Sequence, residues 1–149
     1  MIEPMGAEFK LAIRVYIEDT DAGGIVYYVN YLKFMERART EFMRQLGFGK
    51  AALGGAQERA EKTAEDSGAI FVVSDVQAKY RSPARLDDQL TVSAKLIELR
   101  KASLVFEQKI WRDEQLLCEG EVKVACANAK TLRATRVPAE LYKVLSRLK

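Results

Sequence analysis

Two aspartates one residue apart, Asp19 and Asp21, precede the pair Gly23 and Gly24, and the chain has no histidine at all. Histidine is the usual general base and the commonest metal ligand. Its absence removes Ser-His-Asp, Cys-His and zincin arrangements together, along with His-dependent dehydration. Proton chemistry then falls to a carboxylate. The glycines let the backbone approach a ligand closely, and the residues after them lead into a helix whose N-terminus carries unpaired N–H groups and positive partial charge. A carboxylate beside such donors has the two parts that acyl transfer to water requires: one group to attack or to activate water, another to hold the oxyanion. Composition leaves open the alternative that both aspartates only shape a turn or sit against a helix end. No Walker or dinucleotide spacing surrounds the glycines, which argues against nucleotide hydrolysis.

Other polar groups are candidates of a second kind. Arg100 and Lys101 fall at a hairpin, where a solvated turn would explain them, yet a phosphate-bearing substrate arm would need such a pair. Arg81, in YRSPARLDD, could act likewise or belong to a Pro-containing turn. Glu36 and Glu41 read as solvated or salt-bridged helix positions, and Tyr31, Phe34 and Phe42 as core. Cys118 and Cys126 share one face of a strand but stand too far apart along it to bond, so they read as reduced thiols.

The elements that must position these residues are legible from their periods. Phe9, Leu11, Ile13, Val15 and Ile17 alternate with polar residues, which predicts a first strand over 9–17, and EDTDAGG (18–24) is a loop. Tyr31, Phe34, Met35, Ala38, Phe42 and Leu46 recur at helical spacing; Asn30 is a candidate N-cap and Gly47 a candidate terminator. Residues 48–69 are polar on all sides and predict a short surface helix with loops, the segment expected to be most mobile. Period-two patterns over 70–80, 88–99, 103–111 and 116–126 predict four more strands, each with one dry and one wet face, and 138–148 predicts a closing helix that starts at Pro138. One-sided alternation implies an antiparallel sheet with helix on one face, an α+β architecture.

At 149 residues the chain is sized for a single domain spanning 1–149. A net charge of +3, with both signs interspersed, gives no reason to expect a nucleic-acid partner. No apolar run reaches the roughly 18 residues of a membrane span, and MIEPMGAEFK lacks the basic and apolar regions of a signal peptide, so a cytoplasmic protein is expected.

The stretch RVYIEDTDAGGIVYYVNYLKFMERARTEF, from Arg14 to Phe42, resembles the signature region of the 4-hydroxybenzoyl-CoA thioesterase family. It is most similar to the acyl-CoA thioesterases associated with the Tol-Pal envelope system. YRSPARLDDQL (80–90) and SLVFEQKI (103–110) resemble the same subgroup, while 48–69 carries extra residues. The resemblance implies a hot-dog fold, a five-stranded antiparallel sheet wrapped around one long helix, and assembly as a homodimer or homotetramer with active sites at subunit boundaries. It implies hydrolysis of acyl-CoA, of short-chain, fatty or aromatic type, with no cofactor beyond the CoA of the substrate and no metal. Asp21 matches the catalytic aspartate, as nucleophile or general base, and the backbone N–H of Tyr28 matches the group that polarises the thioester carbonyl. Arg100, Lys101 and Ser103 fall where relatives contact CoA phosphates. Many envelope-associated members have His where this chain has Tyr28; the Tyr is what the hydroxybenzoyl type shows. A non-catalytic module binding acyl-CoA or acyl carrier protein is the competing expectation.

Overall fold

The computed structural model describes residues 8–48 and 68–148; the surface helix and mobility expected within 48–69 lie outside them, residues 48, 68 and 69 apart. The elements are β1 (Phe9–Arg14), a 3-10 turn (Ile17–Asp19), α1 (Val29–Gln45), β2 (Ala69–Tyr80), β3 (Gln89–Leu99), β4 (Ser103–Arg112), β5 (Gln115–Asn128) and α2 (Ala139–Ser146). All strand pairs are antiparallel, in one sheet ordered β1-β3-β4-β5-β2. Helix α1 packs on β3, β1 and β4. This is the expected sheet wrapped around a long helix.

The helix forms because its apolar stripe is continuous and finds this concave surface. Phe34, Met35, Ala38 and Met43 are fully buried, and Phe42 meets Phe106 of β4 edge-on with ring centroids 5.6 Å apart. Burial of side chains of this size contributes about 2 kcal/mol each. The helix stops where Gly47 takes φ +93°, a conformation that costs glycine nothing.

Three local expectations are corrected. The first strand ends at Arg14, not residue 17, because the Asp19 carboxylate takes the Tyr16 N–H (2.9 Å) and curls the chain into the 3-10 turn; Ile17 is left 75% exposed. Asn30 does not cap α1 but is its second residue, with its amide turned back to the loop. Ser93, assigned to a wet face of β3, is buried, as is Gln108 of β4. Gln108 accepts from Arg39 (2.9 Å) and donates to the Met35 carbonyl (2.9 Å) and the Ser93 carbonyl (3.1 Å), which ties α1 to β4 and β3 through a satisfied polar network. Burial lowers the Arg39 guanidinium below its ordinary pKa, against the pull of Glu36.

At the other side of the sheet β2 hangs on β5 alone. Gly120 allows this close approach: a Cβ there would sit 2.4 Å from the Gln77 carbonyl oxygen. The outer strand shows Val72, Val73 and Val76 to solvent. No helix among the described residues is long and apolar enough to cross a membrane.

Candidate active site

The loop between β1 and α1 is a miniature ladder with its rungs accounted for. Thr20 bridges Val26, the Asp21 N–H donates to the Ile25 carbonyl (3.0 Å), and the Gly24 N–H closes a turn on the Asp21 carbonyl (3.0 Å) with Gly24 at φ +75°. The ladder is stitched sideways onto residues 84–86: Val26 N–H reaches the Ala84 carbonyl (2.9 Å), Leu86 N–H the Gly24 carbonyl (3.1 Å), and the Tyr31 hydroxyl accepts from Ala84 N–H (2.8 Å). A loop so bonded holds its side chains in place before substrate arrives.

Within it the two aspartates are unlike. Asp19 is 7% exposed; its carboxylate fixes Tyr16, and its carbonyl accepts from Tyr27 N–H (3.1 Å) and from the buried Asn30 amide (2.8 Å). It joins strand end, loop and helix start. Asp21 is exposed, and one of its oxygens accepts only a neighbouring N–H, that of Gly23 (3.0 Å). A carboxylate so placed has lone pairs left for water or a carbonyl carbon.

Tyr28 is the residue before α1, already in helical conformation (φ −58°, ψ −29°), and its N–H has no hydrogen-bond partner among the described residues. It points from the positive end of a 17-residue helix. Asp21 lies opposite Ile25 in the ladder, and Tyr28 follows three residues after Ile25 where the same loop turns into α1. These two expected residues lie on one bonded connection between β1 and α1.

The cations do not. Arg100 and Lys101 cap the β3–β4 hairpin at the far end of β3 from the Asp21 loop, which bonds to residues 84–86 before β3 begins. Eleven residues of strand separate them, roughly 35 Å along the chain. Arg100 is exposed and ion-paired with Glu98. Lys101 opens on a cavity of about 740 Å³ that Arg136 and Lys143 also line. Ser103 is buried at the hairpin base, where its carbonyl accepts the Arg100 N–H (2.9 Å), so its side chain is the least available of the three.

The remaining candidates have ordinary roles. Glu36 accepts from Thr40 (2.7 Å), Glu41 pairs with Arg44, and Arg81 is held by Glu119 (2.5 Å). Cys118 and Cys126 are buried free thiols, both pushed up by burial to about 11. Among the described residues no three Cys, Asp or Glu side chains converge as a metal would require. Sequence reasoning missed Tyr80, which stands edge-on to Tyr28 (5.8 Å) and against Tyr31 (5.5 Å). Nothing in its spacing separates it from an ordinary strand-end aromatic. Burial raises the Tyr31 and Tyr80 phenols above their ordinary pKa, so both rings are neutral.

Comparison with known proteins places the chain in a family. Residues 23–119 match the model of the thioesterase superfamily. The chain is 38% identical over 141 residues to a Haemophilus influenzae protein named acyl-CoA thioesterase YbgC, covering 95% of this chain and 96% of that one. It is 41% identical over 134 residues to an Escherichia coli protein named acyl-CoA thioester hydrolase YbgC, covering 89% and 92%. Among solved structures, a probable thioesterase from Bartonella henselae superposes with a TM-score of 0.78 at 32% identity, covering 89% of this chain and all of that one.

Proposed function

The chain belongs to the thioesterase superfamily, with a hot-dog fold, and from that premise we propose that it is an acyl-CoA thioesterase acting through Asp21 and the Tyr28 amide. The observation that carries this is the division of labour in the loop: Asp19 is consumed in holding it, while Asp21 is left free on the same connection that ends in an unpartnered helix-start N–H. Asp21 takes a proton from water as the water oxygen bonds to the thioester carbon. The Tyr28 N–H holds the oxyanion, and collapse breaks the C–S bond, with the proton going to the departing CoA sulfur. Direct attack by Asp21, giving an anhydride that water then opens, balances equally.

The CoA phosphates go to Arg100 and Lys101 of a second copy, with Ser103 beneath them. A pantetheine arm of about thirteen bonds extends only about 16 Å, about half the length of strand, roughly 35 Å, that lies between the loop and the same chain's hairpin. The β2 edge, with its exposed valines, supplies the surface for such pairing, as a homodimer or, by pairing of dimers, a homotetramer. The resemblance further supports a single-domain cytoplasmic enzyme of the Tol-Pal group, with acyl carrier protein as a second possible donor of acyl groups.

CoA release, followed with a thiol reagent across short-chain, long-chain and aromatic acyl-CoAs, tests the reading. The wild type turns over, and Asp21→Asn loses roughly 10²- to 10⁴-fold while still binding CoA. Tight CoA binding with no turnover of any substrate would instead make this a non-catalytic binding module.

A further inference from the structure

Helix α1 rests on β3, β1 and β4 and stands clear of the far strands, so a cleft of about 350 Å³ opens between it and the β5–β2 side of the sheet. Successive turns of α1 form one wall, from Val29 through Leu32 to Arg39, a run of about 15 Å at the helical rise. Val73 and Val76 of β2 and Val122 of β5 form the other. The walls are mostly aliphatic, yet a charge is set into one end: Arg39 is only 9% exposed. A buried guanidinium is costly unless a counter-charge meets it, and no carboxylate among the described residues forms an ion pair with Arg39. Its Nη1 donates instead to the neutral Gln108 oxygen. Glu36 borders the same cleft but accepts from Thr40, and Lys33 adds a second positive charge, so two cations face one carboxylate. A guanidinium carries five N–H donors. No enclosed side-chain nitrogen among the described residues lacks a partner, so the donors that Gln108 leaves over open on the cleft rather than on packed protein.

We infer that this cleft binds an aliphatic chain that ends in a carboxylate, the chain lying between α1 and the valines and the carboxylate meeting Arg39. The carboxylate supplies the counter-charge that the chain itself withholds, and a planar guanidinium accepts it through two parallel N–H bonds where an ammonium would offer a point charge. The fork is held from behind: Gln108 is itself anchored on the Met35 and Ser93 carbonyls, so Arg39 is set in place before a ligand enters. At about 30 Å³ for each small group the cleft holds roughly a dozen, and a ten-carbon chain, extended to about 11 Å, fits within its length. Two molecules carry this chemistry. One is a thioester whose acyl group bears a second carboxylate at its far end; that source rests on the thioesterase reading, Val29 being the residue after Tyr28. The other is a free fatty acid of the kind hydrolysis releases, and it requires no catalysis.

Calorimetric titration of the full chain with decanoate and with decanol, which share a chain and differ in charge, tests the inference without turnover. Decanoate should bind roughly ten- to a hundred-fold tighter than decanol, and Arg39→Met should remove that difference. Arg39→Met strips Gln108 of a partner; if it does not fold, Val73→Glu, at a strand position 48% exposed, sets a like charge on the opposite wall and should weaken decanoate more than decanol. Equal binding of the two, or a decanoate preference that survives both substitutions, would overturn the inference. So would binding of neither, which would mean that a second copy of the chain covers the cleft. The source is read from kcat/KM for decanoyl-CoA and the mono-CoA thioester of decanedioic acid. A lead for the diacid thioester that falls in Arg39→Met assigns the cleft to substrate; a lead for decanoyl-CoA, with decanoate as its competitive inhibitor, assigns it to the free acid. No turnover of either thioester would overturn the hydrolase reading and leave the decanoate result standing.

Discussion

Asp19 and Asp21 are the same residue type two positions apart, and hydrogen bonding alone makes one structural and the other available. Asn30 is the clearest handle on that arrangement, since its buried amide joins helix start to loop through the Asp19 carbonyl. Asn30→Ala should cost about 1–2 kcal/mol of stability, read by urea denaturation, and should lower turnover as the Tyr28 amide drifts. A second residue-scale device lies next door. Although burial acts to raise it, the Asp88 carboxyl is held below its ordinary range by the Arg112 side chain (2.7 Å) and the Arg85 N–H (2.8 Å). A carboxyl depressed in the folded state stabilises fully above its unfolded pKa of about 4 and loses that contribution as pH falls through the folded value. Denaturation midpoints should therefore drop below about pH 4, and Arg112→Met should flatten that drop.

The strands and the long helix were legible because each has one face against the core, and a face writes its period into the sequence. What escaped was whatever a neighbour decides. Ile17 continues the β1 alternation, yet a side chain two positions on captures the backbone and throws it outward. Ser93 and Gln108 look like solvent-facing polar residues, and partners distant in sequence explain why they are inside: Arg39, 69 positions before Gln108, donates to its amide oxygen, and the Lys109 N–H donates to the Ser93 hydroxyl. Asp21 and Tyr28 were named as candidates because family resemblance marks them, whereas the contact of Tyr80 with Tyr28 and Tyr31 depends on two strands and a helix meeting. Gly120 belongs to the same class: an unremarkable glycine in sequence, it lets β2 lie against β5. Gly120→Ala should destabilise by about 1–3 kcal/mol through overpacking, and because β2 has no other strand within the chain, hydrogen exchange at its β5-facing amides should rise before exchange in β3 or β4.

At the scale of the molecule, one sheet carries the Asp21 loop at one end and the Arg100–Lys101 hairpin at the other. The Asp21 loop is bonded wholly within one chain, and the basic end, with Lys101, Arg136 and Lys143 around one cavity, is equally a feature of a single chain. Their separation of roughly 35 Å along β3 has a consequence for mixed populations. If each site takes its carboxylate from one copy and its phosphate anchors from another, lesions at the two ends are interchangeable losses that compensate in trans. Asp21→Asn and an Arg100→Ala/Lys101→Ala double variant, each poor alone on acyl-CoA, should regain activity when unfolded together and refolded as a mixture, since every hybrid pair contains one site with neither lesion. Activity no greater than the average of the two separate preparations would place both groups in the same chain's site. A cell expressing both defective alleles would accordingly behave as though it had a partial dose of the intact gene, which is interallelic complementation written into the length of a strand.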